Sequence, residues 1–120
     1  MTATDNKALA SRVYEAINTQ DLATLDDLFD PHIIRHAMGE VGIESAKAAV
    51  TNAFATFPER HFVVEDLIAE DDKVALRITV HGTPTLGGEP LPLIMEIFRI
   101  AHGRVVEIWG AGTLRRRPDA

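Results

Sequence analysis

Glu96 heads the stretch of this chain with the most chemical content, Glu96-Ile97-Phe98-Arg99-Ile100-Ala101-His102-Gly103-Arg104-Val105-Val106-Glu107-Ile108-Trp109-Gly110. It reads as a β-hairpin that carries ionisable groups among core residues. Two apolar runs flank His102-Gly103, and the glycine supplies the positive φ that a two-residue hairpin turn needs. With that turn and an unbroken ladder, Ile100 faces Val105, Phe98 faces Glu107 and Glu96 faces Trp109. Period 2 then gathers Glu96, Phe98, Ile100, Val105, Glu107 and Trp109 on one face. A carboxylate beside a tryptophan on a half-buried strand is costly unless it is paired, protonated or turned to a wet cavity. A pocket lined by Glu96 is the chemistry to look for. There desolvation raises the carboxyl's pKa and leaves it a hydrogen-bond donor, whereas pairing with Arg77 would lower it.

Arg77 belongs to a second alternating run. From Lys73 to Gly82, Val74, Leu76, Ile78 and Val80 share one face, and Ala75, Arg77, Thr79 and His81 share the other. In a curved sheet roofed by helices, the half-polar set is expected to line the cavity. The apolar set would then need cover from another subunit, which predicts a homodimer packed sheet to sheet. Arg77 serves equally well as an ion-pair partner of Glu65 or Glu96 or as a ligand contact. His81, at a strand end, is more simply structural. Tyr14, Phe54, Phe57 and Trp109 are the aromatic candidates for a substrate wall, although such side chains are more often core. No spacing of histidines or carboxylates points to a metal.

The elements that position these groups run helices first, strands afterwards. Leu9, Val13, Ala16 and Ile17 predict an amphipathic helix over about 5–18, with Thr4-Asp5 as its cap. Asp21 opens a short second helix with Leu22, Leu25, Leu28 and Phe29 inward, closed by Asp30-Pro31. A short strand covers 32–36, and Gly39 and Gly42 frame a loop before a third helix ending at Pro58. Strands are expected at 61–69, 73–82, 91–101 and 104–114, with Glu70-Asp71-Asp72 as a turn and 83–92 as a loop.

At 120 residues the chain is read as one domain able to build its own core, and it contains no cysteine for a disulfide or a thiolate metal site. Residues 1–72 hold 14 acids against 5 bases, and residues 73–120 hold 4 against 7. A net charge of −6 with only Arg115-Arg116-Arg117 as a basic cluster excludes the broad positive face that nucleic acid needs. The polar start and the lack of a long apolar run give no signal peptide or membrane anchor, so a cytoplasmic location is expected.

Helices before a run of antiparallel strands imply an α+β domain, with the three helices on the concave face of a strongly curved sheet. Within that frame Tyr14-Glu15-Ala16-Ile17-Asn18, Asp21-Leu22, Phe57-Pro58, Val64 to Glu70, Lys73 to Arg77, Gly82-Thr83, Ile97 to Ile100 and Val106 to Trp109 together resemble a SnoaL-like polyketide cyclase. That family belongs to the cone-shaped NTF2-like superfamily, with ketosteroid isomerases and limonene epoxide hydrolases. The resemblance places His36 where the isomerases keep an aspartate base and Glu96 where they keep a protonated aspartate. Their catalytic tyrosine would fall on Val13, one residue before Tyr14. Thr113 stands where the cyclases usually carry an aspartate acid, and the epoxide-hydrolase strand motif is replaced by Arg77-Ile78-Thr79. A histidine at position 36 suits a general base, because its ordinary pKa lies near working pH.

The expected function is cofactor-free acid/base chemistry, of isomerase, cyclase or lyase type, on a hydrophobic ring-bearing or polyketide-like substrate. His36 would remove a proton α to a carbonyl, and Glu96 or Arg77 would stabilise the oxyanion. The alternative is a non-catalytic member of the same fold that binds a small ligand or a protein.

Overall fold

Thr2, and not Thr4-Asp5, opens the first helix. Its hydroxyl accepts the Asp5 amide at 3.1 Å while the Asp5 carboxylate accepts the Thr2 amide at 3.0 Å. This reciprocal cap starts α1 (Ala3–Asn18) two residues before the expected point. Asp21 caps α2 (Leu22–Leu28) through the Thr24 amide, 3.1 Å away. The computed structural model describes residues 2–84 and 87–113, so Leu114 and the Arg115–Arg117 cluster lie outside the described residues.

Pro31 does not close α2. The helix ends at Leu28, and Phe29 opens β1 (Phe29–Arg35), which contains the proline. β1 runs parallel to the last strand, advancing from Phe29 to Ile34 while its partner advances only from Val105 to Glu107. The intervening residues bulge out of the ladder, where a missing N–H costs nothing. A 3-10 turn (His36–Met38) and the two-residue β2 (Glu40–Val41) lead into α3 (Ile43–Thr56).

β3 (His61–Glu70), β4 (Lys73–His81), β5 (Leu93–Ala101) and β6 (Arg104–Gly112) form an antiparallel meander. The order is β2-β1-β6-β5-β4-β3, and among the described residues only the β1–β6 pair is parallel. The fold is thus α+β, three helices on a six-stranded, mainly antiparallel sheet among the described residues.

The β5–β6 turn forms as expected, with His102 at φ 54° and Gly103 at φ 73°, and Ile100 faces Val105. Beyond that pair the expected register fails. Val106 is an extra residue, so Arg99 faces Glu107, Phe98 faces Ile108, Ile97 faces Trp109 and Glu96 faces Gly110. The physical reason is the core. An unbroken ladder would set the Glu107 carboxylate against buried Phe98 and turn Ile108 out, whereas the bulge does the reverse.

The helices cover the face that carries Val74, Leu76, Ile78 and Val80, each at most 1% exposed. These side chains pack with Val13, Leu25, Ile33 and Phe98 in the core. This overturns the expectation that they await another subunit: three amphipathic helices need an apolar face to bury against, and this is it. Ala75, Arg77, Thr79 and His81 therefore lie on the opposite, open face.

Candidate functional site

Three elements far apart in sequence bring an ionisable group each to one cavity under the helices. Tyr14 projects from α1, Arg35 from the end of β1 and Glu96 from β5. The cavity holds about 170 Å³. Its remaining wall is apolar. Val13 and Ile17 come from α1, Ala46, Ala49, Val50 and Ala53 from α3, and Phe29, Phe62, Phe98 and Ile108 from the sheet.

Each polar side chain is aimed by local structure. Tyr14 sits on the stripe Ala10, Val13, Tyr14 and Ile17, which faces the sheet at helical spacing, and its ring stacks on Phe98 at 6.4 Å between centroids. Arg35 pairs with Ile108 across the ladder, and so shares the inward parity of Ile33. Its Nη1 donates to Glu40 Oε2 at 2.9 Å, which holds the guanidinium at the cavity edge. Glu96 alternates with Phe98 and Ile100 on the helix-covered face. It keeps intermediate exposure because it looks into the space that it lines.

The Tyr14 hydroxyl donates to Glu96 Oε1. Oε2 has no hydrogen-bond partner among the described residues. Burial pushes the Glu96 carboxyl above its ordinary pKa, against the opposing pull of the Tyr14 hydrogen bond and the Arg35 charge. Burial, and then the neighbouring Glu96 charge, push the Tyr14 hydroxyl well above the usual phenol range, so it remains a donor. A carboxyl whose pKa is raised by burial, with one oxygen held and one free, is suited to take up and release a proton.

His36 lies elsewhere. Since Arg35 is the inward residue, His36 leaves the strand on the open side, exposed, with its ring stacked on Trp109 at 4.9 Å. Its Nε2 is 2.7 Å from Glu107 Oε2, and Arg99 Nε donates to Glu107 Oε1 at 2.6 Å. Hydrogen bonds from His36 and Arg99 hold the Glu107 carboxyl below its usual range. His36, where a general base is expected, is therefore not among the residues that line this cavity.

The other expected site residues divide in the same way. Arg77 donates to Asp66 at 2.6 Å on the open face, because the extra residue Glu65 brings Asp66, not Glu65, opposite it. Neither Glu65 nor Glu96 is its partner. Thr79 donates to Glu65 at 2.8 Å and lies 3.2 Å from His81, so both are turned away from the cavity. Trp109 crosses to the open face with the β6 bulge. Phe54 is core, edge-on to Phe62, and Phe57 lies beneath the Arg60 guanidinium at 4.8 Å. Of the expected substrate wall, Tyr14 alone lines the cavity. Thr113 follows β6 directly, its hydroxyl accepting the Leu93 amide at 3.0 Å.

Sequence reasoning missed Arg35, whose signal was its alternation with apolar Ile33, and it missed Tyr14 as the partner of Glu96. Among the described residues no group of three or more metal-ligating side chains is arranged to hold an ion, and no helix is long and apolar enough to cross a membrane.

A model of the SnoaL-like domain matches residues 10–108. Among solved structures, a loop-truncation variant of IdmH superposes with a TM-score of 0.76 at 28% identity, covering 89% of this chain and 91% of that one. Wild-type IdmH comes from Streptomyces antibioticus and is proposed to be a polyketide cyclase. A SnoaL-like polyketide cyclase from Agrobacterium tumefaciens reaches 0.78 at 14% identity, covering 94% and 93% of the two chains. A protein from Kribbella flavida proposed to be a ketosteroid isomerase reaches 0.74 at 16% identity, covering 97% and 83%. The last two likenesses speak for the fold alone. No curated protein matches this chain.

Proposed function

This chain belongs to the SnoaL-like domain family, and from that premise we propose that its cavity performs cofactor-free proton transfer on a hydrophobic, ring-bearing carbonyl compound, as an isomerase, cyclase or lyase. The observation that carries this is the Tyr14–Glu96 pair set in an otherwise apolar cavity, with Oε2 free. Glu96 Oε2 removes a proton from the carbon next to the carbonyl. The C–H electron pair passes to the carbonyl oxygen as an enolate, and the same proton is returned to carbon or oxygen as the product forms. Tyr14 fixes Oε1, and the Arg35 charge favours the enolate. The oxyanion role once divided between Glu96 and Arg77 thus falls to Arg35, and the base role of His36 to Glu96.

An engineered apolar cavity of about 150 Å³ takes benzene, so this one accommodates a single ring or one ring of a larger polyketide-like substrate. The test is exchange of α-hydrogens of 2-cyclohexenone for deuterium in D₂O, followed by NMR. Wild-type protein should accelerate exchange, and Glu96→Gln should lower the rate by roughly two to four orders of magnitude, the usual contribution of a positioned base. Binding of the ketone without exchange, equal in the two proteins, would instead establish a non-catalytic ligand-binding member. That second reading draws on one observation: Tyr14 and Arg35 are both already engaged with residues of the chain.

The homodimer is proposed through the open face. There Trp109, Ile97, Ala75 and Ile68 form an apolar row across four strands, with Met95 beside it. Ile68, Met95 and Ile97 are 68%, 48% and 42% exposed. The charges flanking the row, Arg77 with Asp66 and Arg99 with Glu107, are already neutralised within the chain. Such a face suits burial against a copy of itself.

A further inference from the structure

β6 carries two glycines near its end, and they answer to different needs. A β-carbon at Gly112 would stand 2.5 Å from the Leu93 carbonyl oxygen, so the backbone itself requires that glycine. At Gly110 the nearest atoms would be Glu96 Cγ at 3.3 Å, the Met95 carbonyl oxygen at 3.5 Å and Glu96 Oε2 at 3.6 Å. No backbone atom forbids a side chain there, and φ at Gly110 is not positive. A glycine inside a strand costs stability and packing, which marks a place where something else approaches.

The Glu96–Gly110 pair sits on the helix-covered face, with Oε1 held by Tyr14 and Oε2 toward the glycine. The geometry points to Gly110 as a specificity-determining position: its missing side chain keeps the free oxygen of Glu96 open from the β6 side, so that the reacting edge of the substrate lies over Gly110. This inference deepens the proposed proton transfer and rests on it. A side chain at position 110 narrows the substrates that can present a C–H bond to Oε2, while leaving the Tyr14 contact in place.

Two substitutions of nearly equal size test it. Gly110→Ala puts a methyl group against the Glu96 carboxyl, excluding water from Oε2 without offering a partner. Gly110→Ser adds a hydroxyl that can donate to Oε2. Carboxyl NMR should show Glu96 titrating at higher pH than wild type in Gly110→Ala and at lower pH in Gly110→Ser. A position of merely structural importance moves both in the same direction, or neither, and that result overturns the inference. The readout needs no turnover. In the exchange assay, Gly110→Ala should slow 2-cyclohexenone at least tenfold and the smaller acetone less. If Glu96→Gln abolishes exchange while Gly110→Ala treats both ketones alike, the inference about Gly110 fails and the proton-transfer reading survives. If Glu96→Gln leaves exchange intact, the reading fails with it.

Discussion

Tyr14→Phe removes one oxygen atom and tests whether the Tyr14–Glu96 pair is a titrating unit. When Glu96 is ionised, the lost bond is a donor to a charged group, worth about 1.5–3 kcal/mol. When Glu96 is protonated, the bond is neutral and worth about 0.5–1.5 kcal/mol. The ring's stacking on Phe98 is preserved in both cases, and the cavity has room for a water to replace part of the bond, so the lower half of each range applies. The sign follows from the directions of the shifts. Burial raises the Glu96 pKa in the folded protein, so folding favours the protonated form, and stability falls as pH rises from the ordinary carboxylate value through the raised folded one. The Tyr14 hydroxyl opposes that fall. Without it, the loss on raising the pH is steeper. Urea unfolding of both proteins below and above the Glu96 titration should therefore show a cost below about 1 kcal/mol on the acid side and near 2 kcal/mol on the alkaline side. On heating, 1 kcal/mol corresponds to roughly 4 °C in a domain of this size. A cost that is the same on both sides would refute the pair as a proton-binding unit and leave the hydroxyl a structural contact.

Two other outcomes follow from packing. Phe98→Ala, at a side chain 1% exposed and bordering the cavity, should cost about 3–5 kcal/mol in urea unfolding and enlarge the cavity; a loss under about 1 kcal/mol would mean that the core collapses onto the gap. Sedimentation should find the wild type a dimer and Ile97→Lys a monomer of unchanged circular dichroism, because a lysine in the middle of the apolar row cannot be buried without a partner; a monodisperse wild-type monomer at high concentration would remove the open face as an interface.

Local chemistry was legible in the sequence, and non-local parity was not. The Asp21 cap, the His102-Gly103 turn, the alternation of β4 and the pairing of Ile100 with Val105 depend on neighbours within a few residues, and each could be read directly. Which face of β4 meets the helices depends on what the helices bring, and the alternation of β4 alone does not say that Arg77, Thr79 and His81 face away from them. The cavity draws its polar groups instead from three elements, with Tyr14 and Glu96 82 positions apart. Glu96 itself was found because a carboxylate among core residues is anomalous wherever it lies. Arg35 is harder to read than the residue after it, since the turn at His36 hides where the strand's alternation stops.

The extra residue Val106 means that the contents of the cavity depend on chain length as much as on residue type. Deleting it would slide the rest of β6 into the unbroken ladder, so that Trp109 would face Glu96 and fill the space now left by Gly110, while Ile108 would turn outward. One codon lost would close the chamber without a substitution at any residue that lines it. One codon retained keeps it open. Insertions and deletions in this strand are therefore a route by which related chains can gain or lose a binding chamber in a single step, and strand-length differences, more than substitutions, are where such gains and losses should be sought.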